Sequence, residues 1–157
     1  MSGRYAATTE VPTERTRGEI ERTLLRYGAE GFAYAWEGNQ AMIRFRMHDK
    51  YIRMMLTLPD KSAFGFTPAK RYARDEAETL KAWEQGCRQL WRALALVVKA
   101  KLAAVEAGIT TFESEFLAHI ELPNKQTVGQ WLIPQVEQIY LTGGHEMPQL
   151  LPGVANG

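Results

Sequence analysis

Between Phe32 and Leu58 the chain alternates apolar with small or polar residues, and two turn-forming stretches break the alternation. A period of two buries one face only in an extended strand, so this segment is committed to a sheet. Phe32, Tyr34 and Trp36 alternate with Ala33 and Ala35, and Glu37-Gly-Asn-Gln40 forms a turn. Ala41–Met47 and Tyr51–Leu58 are two further strands, separated by His48-Asp-Lys50. The pattern predicts a three-stranded antiparallel meander. A tight turn at Gly38-Asn39 places Trp36 opposite Ala41, Tyr34 opposite Ile43 and Phe32 opposite Phe45. A second tight turn at Asp49-Lys50 places Met47 opposite Ile52, Phe45 opposite Met54, Ile43 opposite Leu56 and Arg46 opposite Arg53. Directly opposed residues share a face. Both registers therefore gather Phe32, Tyr34, Trp36, Ile43, Phe45, Met47, Ile52, Met54 and Leu56 into one apolar face.

Such a face needs a cover, and the chain supplies one. From Asp75 to Ala107 there is no proline and one glycine, Gly86. Leu80, Trp83, Cys87, Leu90, Trp91, Leu94, Val97, Val98, Leu102 and Val105 keep three-or-four spacing, which predicts one long helix ending at Gly108. Gly86 is a place for a bend or a close approach. Thr16-Arg-Gly-Glu19 fits a capping box opening a helix over about 14–27, with Gly28 as its stop. Thr110-Thr-Phe-Glu113 and Thr127-x-x-Gln130 match the same signature. They predict a short helix carrying Phe112, Phe116 and Leu117, and one over about 128–141 that Pro134 kinks. Residues 59–74 read as a linker. The expected fold is α+β: the meander packed against one long helix, with shorter flanking helices. It forms a single domain over residues 1–150, with 151–157 a loose tail.

Composition bears on class rather than fold. Apolar residues make up 45% of the 157, and charged residues 24%, which suits a globular chain. Cys87 is the one cysteine, so no intramolecular disulfide forms and a reducing cytoplasm is the expected setting. The N-terminal stretch lacks the apolar core of a secretory signal. The nearest apolar run, Leu94–Val98, is too short to span a bilayer, so no membrane partner is expected.

The net charge of +1 argues against a polyanionic partner until it is divided along the chain. Residues 1–40 carry 5 basic and 6 acidic side chains, residues 41–74 carry 8 and 2, and residues 75–157 carry 6 and 10. A basic middle hides inside a neutral average. Within it Arg44, Arg46 and Arg53 fall on the second face of the meander with Ala33, Ala35, Met42, Tyr51, Met55 and Thr57. That face has no carboxylate except Glu37 at its end. Arginines over a shallow apolar floor suit phosphate binding with base stacking. The competing reading pairs these arginines with acidic residues elsewhere in the fold. Lys61, Lys70, Arg71 and Arg74, interleaved with Phe64, Phe66 and Tyr72, form a second basic patch. Lys81, Arg88, Arg92 and Lys99 form a stripe along the long helix, where Glu84 is placed to pair with Arg88.

Catalytic signals are weak. His48, His119 and His145 lack metal-ligand spacing, and Cys87 falls on the apolar side of its helix. Gly143-Gly-His-Glu146 lacks the surroundings of a phosphate loop. Glu113, Glu115 and Glu121 lie near one another without the marks of an acid–base pair. Neither a cofactor nor a metal is expected.

Residues 5–36 (YAATTEVPTERTRGEIERTLLRYGAEGFAYAW) and 91–131 (WRALALVVKAKLAAVEAGITTFESEFLAHIELPNKQTVGQW) resemble a family of small proteins encoded by bacteriophages and prophages. The resemblance extends over about residues 5–150. It implies action in the cytoplasm of an infected bacterium, and no particular reaction. The β-β-β-α order is similar to the core of single-strand annealing proteins, an analogy of topology alone. These readings lead to an expected non-enzymatic nucleic-acid-binding protein, with single-stranded DNA favoured, serving phage recombination or replication. Its expected contact residues are Arg44, Arg46, Arg53, Tyr51, Lys61, Lys70, Arg71, Arg74, Arg88 and Arg92. The alternative is a protein–protein module, such as a host-defence inhibitor or phage accessory factor. Homo-oligomerisation is a further expectation, drawn from the length of the helix and its Trp83 and Trp91.

Overall fold

The computed structural model describes residues 3–69 and 72–143, with side chains from residue 14 onward. The expected tail at 151–157, His145 and the Lys70-Arg71 pair lie outside the described residues. Three strands, β1 (Phe32–Glu37), β2 (Gln40–Met47) and β3 (Lys50–Thr57), form one antiparallel sheet in the order β1-β2-β3. Among the described residues four helices accompany it: α1 (Gly3–Arg26), α2 (Glu76–Glu106), α3 (Phe112–Phe116) and α4 (Val128–Thr142). The fold is the α+β arrangement of a meander and one long helix.

The first hairpin has the expected register, with Tyr34 opposite Ile43 and Trp36 opposite Ala41. The second differs. Phe45 lies opposite Ile52, Ile43 opposite Met54, and Arg44, rather than Arg46, opposite Arg53. The turn sits at His48-Asp49, whose φ values of 52° and 61° meet the demand of a two-residue primed turn. The register moves by two residues, so every side chain keeps its predicted face. The apolar face is buried at Ile43, Phe45, Met47, Ile52 and Met54. Trp36 is the exception at 46% exposed, near the Gly38-Asn39 turn.

That face packs into one core with Trp91, Leu94, Val98 and Leu102 of α2, Ile20 and Leu24 of α1, and Phe112 and Phe116 of α3. Tyr34 meets Trp91 with ring centroids 5.4 Å apart, and Phe45 meets Phe116 edge-on at 5.9 Å. The α2 helix opens on a capping box at Asp75 and Glu78, a start that the apolar spacing alone does not mark. Gly86 serves close packing: a Cβ there would lie 2.8 Å from the Phe64 ring. Val97, expected in the core, is exposed.

Two helix starts differ from expectation. The α1 helix begins at Gly3, so Thr16 is not a cap but a buried interior residue, and Glu19 instead approaches Arg15 at 3.6 Å. Gly28, at φ 95°, follows the helix end as predicted. The α3 cap is Thr111, which accepts from the Ser114 N–H, and this frees Glu113 to meet Lys50 at 3.3 Å. The Thr127–Gln130 capping box forms as expected, and α4 continues through Pro134. Among the described residues no helix is long and apolar enough to cross a membrane.

Candidate functional site

The second face of the sheet is partly covered by the segment between α3 and α4. Ile120 forms a β-bridge with Ile52, and the Glu121 N–H donates to the Tyr51 carbonyl at 2.8 Å. This contact lays Glu121 across the arginines. Arg44 grips it with a two-pronged pair, Nε to Oε2 at 2.9 Å and Nη2 to Oε1 at 3.1 Å. Arg53 Nη1 stands 3.9 Å from Oε2, and Lys125 Nζ stands 3.7 Å from Oε1. The Glu121 side chain is 6% exposed. The hydrogen bonds from Arg44 hold its carboxyl below the usual carboxylate range, against the upward push of burial.

Arg53 is held further by the start of α4, where its Nη2 donates to the Lys125 carbonyl at 2.7 Å and to Gln130 Oε1 at 3.1 Å. Its Nε is buried without a hydrogen-bond partner. The Arg44 guanidinium stacks 3.8 Å from the centre of the Tyr51 ring. Arg46 turns away from this group, to Glu30 at 2.8 Å and Asp49 at 3.0 Å. Beside the cluster Ala33, Ala35, Tyr51 and Met55 remain exposed, and Met42 is half-buried.

The structure thus brings Arg44, Arg53 and Tyr51 together and sets Arg46 apart. Sequence reasoning missed Lys125 and the part played by Glu121. The signal for Glu121 was indirect: two opposed arginines on a partly covered face require a carboxylate from somewhere. Arg74 points inward, donating to the Phe64 and Phe66 carbonyls at 3.1 Å each, and so closes the 59–74 loop. Lys61 starts a short 3-10 turn there, after an Asp60 cap. On α2, Lys81, Arg88, Arg92 and Lys99 make no ion pair among the described residues, and the expected Glu84–Arg88 pair does not form.

Cys87 is buried, and burial pushes its thiol up to about 11, so the thiol form dominates at neutral pH. Burial pushes His119 down. Among the described residues no group of three His, Cys, Asp or Glu side chains is placed to hold a metal ion. No family model, curated protein or solved structure matches the chain.

Proposed function

We propose that the chain is a non-enzymatic nucleic-acid-binding protein acting in a phage-infected bacterium, with single-stranded DNA as the favoured ligand. One observation carries the reading: Arg44, Arg53 and Lys125 converge on a single carboxylate, leaving the cluster with a formal charge of +2. Glu121 takes its share of that charge from the covered side. Arg44 retains partial exposure and Lys125 is largely exposed. The floor of Ala33, Ala35, Met55 and Tyr51 beside it offers apolar and aromatic contact to bases. Phosphates would meet Lys125 and the outer edge of Arg44, and Tyr51 would hold its ring beneath the guanidinium.

Binding of this kind depends steeply on salt, because each phosphate contact releases condensed counterions. Fluorescence anisotropy with single- and double-stranded oligonucleotides across a salt series tests the reading. Lys125→Ala is the informative variant, because it removes an exposed cation and leaves the Arg44–Glu121 pair intact. It should weaken binding to all sequences alike and lower the salt slope by about one. No binding by wild type at low salt, or an unchanged slope in Lys125→Ala, overturns this assignment.

A second reading, docking to another protein, is favoured by α4. Ile133, Val136, Tyr140 and Leu141 are exposed, Tyr140 at 84%, and Glu137 is the helix's one charged residue. A chain that leaves oligonucleotides unshifted at low salt, yet binds one host protein that Tyr140→Glu no longer retains, would support this reading instead.

A further inference from the structure

The α2 helix is apolar on two opposite sides. Cys87, Trp91, Leu94, Val98 and Leu102 face the core. At about 100° per residue, Ala93, Leu96, Ala100, Ala103 and Ala107 fall on the opposite side, at spacings of 3, 4, 3 and 4. All five are exposed, Leu96 at 68%, and exposed Val97 widens the strip. A helix apolar all round belongs in an interior. A strip spaced in this way is the seam along which two helices pair.

The charges beside the strip say what covers it. Arg92, Lys99 and Glu106 follow one flank at intervals of 7, and the other flank, at Val97 and Ala104, carries no charge. None of the three makes an ion pair within its own chain among the described residues. A parallel second copy would set the charged flank against the uncharged one, Arg92 beside Val97 and Lys99 beside Ala104 of the second copy, and leave these charges without partners. An antiparallel copy, with its two-fold axis passing near Lys99, sets Arg92 against Glu106 of the second copy, twice by symmetry. Leu96 then packs against Ala100 of the second copy, large against small. The two Lys99 side chains meet at the axis and splay into solvent along their flexible stems.

The geometry points to the outer face of α2 as an antiparallel, two-fold interface with a second copy of this chain. This inference stands apart from the nucleic-acid reading. It reassigns Arg92 from a nucleic-acid contact to a subunit contact. It also leaves the arginine face of each copy open, because α2 covers the opposite side of the sheet.

Sedimentation equilibrium of the full chain at tens of micromolar should give the mass of a dimer. Leu96→Glu, at an exposed position, should shift it to monomer while the circular dichroism spectrum stays native. Arg92→Glu should weaken association about tenfold by replacing two attractions with two repulsions. Arg92→Glu combined with Glu106→Arg should restore it. A wild-type monomer throughout this range overturns the inference. So does a dimer that survives Leu96→Glu, or one abolished by Val136→Glu on α4 but not by Leu96→Glu. An association indifferent to Arg92→Glu overturns the antiparallel register.

Discussion

Glu121 is the residue on which the sheet's polar face turns. It is nearly covered, yet it faces Arg44, Arg53 and Lys125, so its charge is more than balanced. Removing one arginine therefore leaves it partnered, whereas removing the carboxylate turns the remaining cations on one another. Glu121→Gln should lower stability at neutral pH by about 1–2 kcal/mol, the lower part of the range for hydrogen bonds to charged groups, because the arginines retain access to water. The sign with pH follows from the depressed carboxyl. Its stabilisation is complete above the unfolded value of about 4.3 and is lost as pH falls through the lower folded value. Urea midpoints for wild type and Glu121→Gln should therefore converge on acidification below about pH 4. A gap that persists unchanged at acid pH would mean the carboxylate charge is not what stabilises.

Among the elements, α4 is held differently from the rest. None of its residues belongs to the main core, and Gly129 is its one buried position. A Cβ at Gly129 would lie 2.8 Å from the Ala118 carbonyl oxygen, so the helix sits close against the turn after α3 because this residue lacks a side chain. Gly129→Ala gains helix propensity of about 1 kcal/mol but strains a backbone contact, which costs about 1–3 kcal/mol. Amide exchange should speed up over 128–142 while β2 and the centre of α2 keep their protection. Unchanged exchange in α4 would show that the close approach does not fix the helix. The elements also show where local pattern suffices. The strands, the long helix and the Thr127 cap are each set by neighbours within a few positions, and they are where the sequence places them. The α1 start is not, because Thr16-x-x-Glu19 fits a cap equally well in isolation, and only its burial in a continuing helix shows that it is none. The second hairpin differs in register from expectation because Asp49 suits either central position of a two-residue turn, and His48 takes the other with a positive φ. The slip was an even number of residues because one face had to stay apolar.

For the whole molecule, the α+β architecture was legible because one apolar face called for one long apolar helix, and the core joins the two. The candidate site was half legible. Period two put Arg44, Arg46, Tyr51 and Arg53 on one face; Arg46 finds Glu30 and Asp49 in or beside its own hairpins, but Arg44 and Arg53 meet Glu121, Lys125 and Gln130, whose nearness depends on how the whole chain closes. The Arg44–Glu121 pair spans 77 positions, while the two hairpins pair residues 3 to 17 positions apart. Contacts that close so long a loop are assembled after the local ones have made it worthwhile. The pair is therefore expected to form as a latch fitted late, on the native side of the folding barrier. Stopped-flow measurements on Glu121→Gln should show unfolding accelerated about five- to thirtyfold, with refolding almost unchanged. The salt bridge that balances charge in the finished protein would then govern chiefly how long the finished protein lasts.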